Sequence, residues 1–279
     1  MFDTITIGGD LTVGRMGFGA MRLCGPSVMG YPGDRAAALA VLRDAVERGV
    51  TLIDTADAYG PAVNEEQIAA ALHPYPSDLI IATKGGNQRP GGRWVPDGRP
   101  GHLRAACDAS LRRLRLERID LYQLHVPDPA VPFAESVGAL AALRDAGKIR
   151  HVGLSNVSVS QLAEARTIVP IVSVQNRYNV GARESDDVLD ACERDGLAFL
   201  PYFPIEAGDL AKAGGALRNV ARQRGATTAQ IALAWLMRCS PAIVPIPGTS
   251  SLAHLAENLA AAAIVLDEAE FAALATRAA

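Results

Sequence analysis

Short apolar runs alternate with longer amphipathic stretches about eight times along this chain, and that order limits the fold more than any single residue does. A strand followed by a helix that covers it, repeated, builds a parallel sheet. The expected strands are Arg15–Gly19, Val50–Ile53, Leu79–Thr83, Ile119–Leu124, His151–Leu154, Ile171–Gln175, Leu197–Tyr202 and Ala242–Ile246. Ahead of them, Thr4–Ile7 and Leu11–Val13 bracket Gly8-Gly9-Asp10, a hairpin signal. Asp34 is placed to cap a helix with Ala38, Leu39, Leu42 and Val46 on one face, and Gly49 stops it. Further helices are expected over Asn64–Leu72, Gly101–Leu116, Phe133–Asp145, Ser158–Arg166, Ser185–Arg194, Ala216–Arg224, Thr228–Cys239 and Ser251–Ala261, with a last one from near Asp267.

The spacing predicts an α/β chain folded as a (β/α)8 TIM barrel with an N-terminal β-hairpin and a short C-terminal helix. Such barrels run to about 250 residues, so the 279 residues are expected to form one domain, 1–279. An open doubly wound sheet would have the same alternation. Its glycine-rich dinucleotide fingerprint is missing, since Gly17 and Gly19 give only GFG without a third glycine. The long irregular segment Gly85–Gly101 follows the C-terminal end of a strand, where barrel enzymes carry their active-site loops.

Composition narrows the function classes. The formal net charge is −3, so no basic surplus points to nucleic acid. Arg112, Arg113, Arg115 and Arg118 cluster, and read as a solvated helix end. Cys24, Cys107, Cys192 and Cys239 have neither metal-ligand nor redox-motif spacing, so no metal site is expected. Free cysteines suit a reducing cytoplasm, the expected location. The N-terminus lacks the basic and apolar regions of a signal peptide. No run reaches the roughly 18 apolar residues of a membrane span, and no membrane partner is expected.

Polar residues stand where strands end. Asp54 follows Thr51-Leu52-Ile53, Lys84 follows Ile80-Ile81-Ala82-Thr83, and His125 follows Leu121-Tyr122-Gln123-Leu124; Tyr59 lies five residues beyond Asp54. Each alone reads as a helix cap, a surface lysine, a core histidine or a packed loop tyrosine. Together, at barrel strand ends, they can converge on one site. The combination suits carbonyl reduction, which needs a proton at oxygen. A nearby Lys84 ammonium is expected to lower the phenol pKa of Tyr59, Asp54 to hold Lys84, and His125 to orient the carbonyl.

These residues lie in longer motifs. The segments Leu52–Glu66 (LIDTADAYG, then NEE), Ser110–His125 (SLRRLRLERIDLYQLH), Gly147–Asn156 (GKIRHVGLSN) and Ile246–Asn258 (IPGTSSLAHLAEN) resemble signatures of the aldo-keto reductase family, in the family's order. The resemblance implies Asp54, Tyr59, Lys84 and His125 as the catalytic set, with Asp54 also at the cofactor. It implies Ser155, Asn156 and Gln175 at the nicotinamide carboxamide, Tyr202 stacked on the nicotinamide, and Gly19, Ala20 and Met21 at the pocket edge. It places Gly248, Thr249, Ser250, Ser251 and His254 at the adenosine 2′-phosphate, and Glu257 and Asn258 at the adenine. Positions that are basic in the family carry Gly248 or Ser251 here, and His254 stands where Arg is common. NADPH is the expected cofactor, with NADH as the alternative.

The expected partner is a small carbonyl compound. The chain stops soon after its last helix, without the longer C-terminal loop of many family members, which leaves Gly85–Gly101 to meet the substrate. Trp94 is expected as an apolar wall, and Arg93, with Arg89 and Arg99, as contacts to an anionic group. Rival readings are a cofactor-binding regulatory or redox-sensing protein with slow turnover, and a Schiff-base lyase using Lys84. The physiological substrate, the favoured direction and the oligomeric state are not written in these motifs.

Overall fold

The computed structural model describes residues 3–206 and 215–275. β1 (Thr4–Ile7) and β2 (Leu11–Gly14) form the antiparallel N-terminal hairpin. The barrel then builds from β3 (Phe18–Gly19), α1 (Arg35–Glu47), β4 (Leu52–Asp54), α2 (Val63–Leu72) and β5 (Ile80–Gly85). A small hairpin, β6 (Asn87–Gln88) and β7 (Val95–Pro96), interrupts the alternation before α3 (Pro100–Leu114). There follow β8 (Ile119–Leu124), α4 (Phe133–Asp145), β9 (Ile149–Ser155), α5 (Val159–Arg166), β10 (Ile171–Gln175), α6 (Asp186–Asp195) and β11 (Ala198–Phe199). The described chain continues through α7 (Ala216–Arg224), α8 (Thr228–Cys239), α9 (Leu252–Ala260) and α10 (Glu268–Ala275).

The main sheet is seven-stranded and parallel, in the order β11-β10-β9-β8-β5-β4-β3. Residues 242–247 close it into a ring. On one side Phe199 N–H donates to Ala242 O at 2.8 Å and Val244 N–H to Phe199 O at 2.9 Å. On the other, Gly17 and Gly19 N–H donate to Pro245 O and Pro247 O at 2.9 and 3.2 Å. This is the expected strand Ala242–Ile246, but it forms an isolated bridge and no regular ladder. Pro245 and Pro247 have no N–H to give, so only their carbonyls pair. The expected strands Arg15–Gly19 and Leu197–Tyr202 likewise shorten to Phe18–Gly19 and Ala198–Phe199.

β4, β5 and β10 are buried at every residue, which explains their near-continuous apolar sequences. One cluster, among it Ile7, Leu11, Val13, Leu52, Ile80, Leu121 and Val244, joins the N-terminal hairpin to the early residues of the strands. The hairpin therefore plugs the N-terminal mouth of the barrel. Asp10 at its tip accepts from Arg150 and pairs with His151 at 2.6 Å. The larger core packs helices on the ring and holds Phe18, Leu42, Tyr122, Phe199 and Trp235.

Asp34 caps α1 as expected, and two further helix starts, of α5 and α8, carry caps not anticipated from the sequence. Asp34 accepts from Ala37 N–H at 2.9 Å, and capping boxes pair Ser158 with Gln161 and Thr227 with Gln230. The four cysteines are unpaired; burial pushes the Cys24 thiol up to about 11 and those of Cys107, Cys192 and Cys239 up to about 12. Among the described residues no helix is long and apolar enough to cross a membrane.

Candidate active site

With one mouth plugged, the strand C-termini define the open end. β4 ends on Asp54, β5 carries Lys84, and His125 directly follows β8. Asp54 pairs with Ala82 and Lys84 with Gln123, so Lys84 and His125 each stand two residues farther toward the C-terminal end than the partner of the group before. Tyr59 arrives from the turn between β4 and α2. That turn is held from below: Thr55 Oγ1 donates to Asn64 Oδ1 at 2.7 Å, and Asn64 Nδ2 donates to Ala20 O at 2.8 Å. Glu65 accepts from Thr83 at 2.6 Å and from Arg113 at 2.7 Å. Asn64 and Glu65 of the NEE triplet thus work from inside the protein, tying the turn to the residue after β3, to β5 and to α3, while Glu66 is exposed and accepts from Tyr31.

Lys84 Nζ donates to Asp54 Oδ1 at 2.6 Å, to Thr55 O at 2.9 Å and to Tyr59 Oη at 3.4 Å. The second Asp54 oxygen accepts from Gln175 at 2.8 Å and Gln123 at 3.1 Å. Both partners of this ion pair are buried, so its geometry and its extra hydrogen bonds decide whether it is tolerable. Burial pulls the Lys84 ammonium down, but Asp54 and Tyr59 outweigh it and hold its pKa above the ordinary lysine value. Tyr59 departs from expectation. Burial pushes its phenol up more than the Lys84 ammonium pulls it down, so it stands above the ordinary tyrosine value. His125 is driven well below the ordinary histidine value by burial and by the charges of Lys84 and Arg89, which makes it a neutral imidazole at neutral pH.

A cavity of about 520 Å³ opens on these groups. Asp54, Tyr59, Trp94, His125, Ser155, Asn156, Gln175, Tyr202, Gly19, Met21 and Gly248 line it, all anticipated from the sequence. Lys84 lies behind the wall at 0% exposure, and Ala20 is buried. Tyr59, Trp94 and His125 meet edge to face: their centroids are 6.2 Å (Tyr59–Trp94), 5.8 Å (Tyr59–His125) and 5.9 Å (Trp94–His125) apart. On the opposite wall Tyr202 Oη donates to Asn156 Oδ1 at 2.7 Å, and Asn156 Nδ2 donates to His125 O and to Ser155 Oγ, both at 3.0 Å. Asn156 sits at φ +59°, a left-handed conformation asparagine tolerates better than most residues.

The segment Gly85–Gly101 is more ordered than its glycines suggest. Arg89, only 7% exposed, donates to Ser27 O at 2.8 Å, Gly92 O at 2.9 Å and Val28 O at 3.2 Å, and stacks on Trp94 at 3.8 Å. Arg99 donates to Asp97 at 2.8 Å. Arg93 is exposed and outside the cavity wall. Of the three arginines expected at an anion, then, two are bonded within the protein itself and the third does not line the cavity.

The wall toward α9 is built by close backbone approach. A Cβ on Gly248 would lie 2.4 Å from Gly19 O, and one on Gly19 would lie 2.5 Å from Ile246 O, so both positions demand glycine. Ser251 caps α9 by accepting from His254 N–H at 3.4 Å, and Thr249 Oγ1 accepts from Ser251 N–H at 3.0 Å. Ser250 and His254 are exposed, and Asn258 is buried. Glu257 is already engaged by Thr227 at 2.6 Å. None of the residues 249–258 lines the main cavity.

Sequence reasoning missed Arg22, Val28, Asn87, Pro96, Val126, Phe203, Pro204, Ile205 and Ile246 in the cavity wall. Arg22 lies beside Gly248 and is exposed. Its position directly after Met21, at the first strand's end, was the available signal. The apolar members carry no sequence mark that separates them from core residues.

The model of the Aldo/keto reductase family matches residues 15–277. The chain is 47% identical over 267 residues to an uncharacterised oxidoreductase of Schizosaccharomyces pombe, covering 95% of this chain and 87% of that protein. It is 45% identical over 273 residues to pyridoxine 4-dehydrogenase of Escherichia coli, covering 95% of each. A solved aldo-keto reductase from Klebsiella pneumoniae in complex with NADPH superposes with a TM-score of 0.81 at 28% identity, covering 98% of this chain and 94% of that one.

Proposed function

The chain belongs to the aldo/keto reductase family, and from that premise we propose that it uses NADPH to reduce an aldehyde or ketone to the alcohol, with Tyr59 as the proton donor. The observation that carries this reading is the buried Lys84 ammonium 3.4 Å from the Tyr59 hydroxyl at the wall of the cavity.

Tyr59 keeps its proton through the neutral range, because burial raises its pKa. It is therefore an acid that waits for a basic partner, such as a carbonyl oxygen gaining negative charge. Lys84 donates to the phenolic oxygen and steadies the phenolate left behind. Asp54 keeps Lys84 charged and in place. An ammonium held this way is not a free amine, which speaks against Schiff-base chemistry at Lys84. Neutral His125 has a ring N–H to offer to the carbonyl oxygen, and so fixes its orientation without competing as the proton source. The edge-to-face rings of Tyr59, His125 and Trp94 make that corner of the cavity aromatic.

The chain fits the cofactor: no Cβ is accommodated at Gly19 or Gly248, so backbone alone forms the wall there, and the N-terminus of α9, an end that favours anions, follows shortly after Gly248. Held there, NADPH would supply the hydride for the carbonyl carbon. Tyr202 would face the nicotinamide ring, with Ser155, Asn156 and Gln175 at its carboxamide. Arg22, Thr249, Ser250, Ser251 and His254 would take the phosphates, and Asn258 and Glu257 the adenine.

The similarity to pyridoxine 4-dehydrogenase makes pyridoxal and pyridoxine the first substrate pair to test. Among the described cavity residues, Arg22 is the one arginine in the wall and stands at the Gly248 side, so the walls near Tyr59 favour an uncharged aromatic aldehyde. Loss of NADPH absorbance with pyridoxal, and with 4-nitrobenzaldehyde as a neutral comparison, tests the reading. Turnover of neither, with tight NADPH binding retained, would remove it.

A further inference from the structure

The cavity wall holds one polar side chain that the chemistry above does not use. Asn87 opens the β6–β7 hairpin and is 8% exposed, yet it borders the cavity. The other buried carboxamide there, Gln175, donates to Asp54, and Asn156 is bonded to His125, Ser155 and Tyr202. No hydrogen bond joins the Asn87 carboxamide to any other described residue, whereas buried amides are almost always paired. Neither of its amide atoms is among the fully covered unpartnered atoms of the described residues, so the carboxamide still reaches open space and is free to pair with a ligand in the cavity it borders.

Its surroundings are apolar. Val28, Trp94, Pro96, Val126 and Phe203 share the wall. The hairpin cannot easily turn Asn87 away: Asn87 stands opposite Pro96, Gln88 donates to Asp97, and Arg89 locks Trp94 from behind. A single fixed hydrogen-bonding group in an apolar slot is how a pocket reads the substitution pattern of a flat ring. A carboxamide both donates and accepts, so it pairs with a ring hydroxyl or a ring nitrogen, but gains nothing from a bare hydrocarbon ring.

We propose that Asn87 is a specificity-determining residue that selects aromatic aldehydes carrying a ring hydroxyl or ring nitrogen over unsubstituted ones. The proposal rests on the reductase reading above and adds to it which aldehydes are preferred. Val28, Trp94 and Phe203 supply area to any aromatic ring; Asn87 supplies the difference between rings.

The test compares kcat/KM for benzaldehyde, its three hydroxy isomers and pyridine-4-carbaldehyde, in wild type and in Asn87→Leu and Asn87→Ala. Wild type is expected to prefer at least one substituted ring by about tenfold, the value of one hydrogen bond. Both variants are expected to bring that ratio to within about twofold of unity, because each removes the pairing group at a different side-chain volume. Melting temperatures confirm that the compared proteins are folded, and a failed variant leaves the other to decide. A wild type without preference, or a preference that survives in a folded variant, overturns the proposal while the reductase reading stands. A wild type that reduces none of these aldehydes overturns both.

Discussion

Lys84 lies between two oxygens, 2.6 Å from the Asp54 carboxylate and 3.4 Å from the Tyr59 hydroxyl, in a region that water does not reach. A charge in that position has to be paired. Lys84→Met should therefore do two separable things. It should abolish turnover, and it should destabilise the fold by about 3–5 kcal/mol because the Asp54 carboxylate is left buried without its cation. Adding Asp54→Asn should restore part of the stability and none of the activity. Urea titration of the single and double variants checks this; equal instability of the two would argue against the ion pair as the source.

Asp57 gives a pH signature. It lies two residues from Tyr59 but faces inward, with Oδ1 unpartnered among the described residues, and burial together with nearby Glu65 pushes its carboxyl up to about 8. The unfolded chain releases that proton near pH 4. Between about pH 4 and 8 the native state thus holds a proton that the unfolded state has lost, and stability falls as the pH rises through this window. Asp57→Asn removes the titration. Its melting temperature should exceed that of wild type by more at pH 9 than at pH 5; parallel curves would contradict the assignment.

Arg89 carries the substrate-side hairpin. Its guanidinium serves backbone carbonyls of residues 27, 28 and 92 and backs Trp94. Arg89→Ala strands part-buried acceptors, at about 1.5–3 kcal/mol for a charged hydrogen bond lost. It should also raise KM for aromatic aldehydes severalfold as Trp94 loosens. NADPH affinity, measured by fluorescence, should stay the same. Exposed Arg93→Ala should change none of these.

Arg22 is the cation in the wall beside Gly248. If it meets the cofactor phosphates, Arg22→Ala should weaken NADPH binding about tenfold, the size of a charge-assisted contact. Rising salt should close the gap between the two proteins. Isothermal titration at two ionic strengths reads both effects.

The repeating strand and helix pattern was legible because buried parallel strands and amphipathic helices have different periodicities. Ile119–Leu124 and Phe133–Asp145 appear with the very boundaries that their sequences suggest. Boundaries failed where hydrogen bonding and hydrophobicity part company. Ala242–Ile246 is apolar like a strand, yet its prolines leave a bridge and no ladder. The Gly85–Gly101 segment read as irregular because glycine marks turns; that those turns fold back into a hairpin depends on Arg89 reaching residues some sixty positions earlier in the chain. Asp54, Lys84 and His125 could be picked out because polar residues at strand ends stand out against apolar runs, and Tyr59 through the motif that follows Asp54. The direction of the Tyr59 shift could not, since it depends on how much protein covers the phenol, and no local pattern reports that. Asn87 escaped for a related reason: an asparagine among glycines looks like turn chemistry until the fold shows it without a partner.

The proton-donor role of Tyr59 is the central claim, and NADPH oxidation with 4-nitrobenzaldehyde by wild type and Tyr59→Phe tests it most directly. The phenylalanine keeps the ring contacts with Trp94 and His125 and removes only the hydroxyl. The account predicts a fall in kcat of roughly 10²–10⁴-fold, the range for a lost general acid, with NADPH affinity retained. A Tyr59→Phe protein that turns over within a few fold of wild type would contradict it.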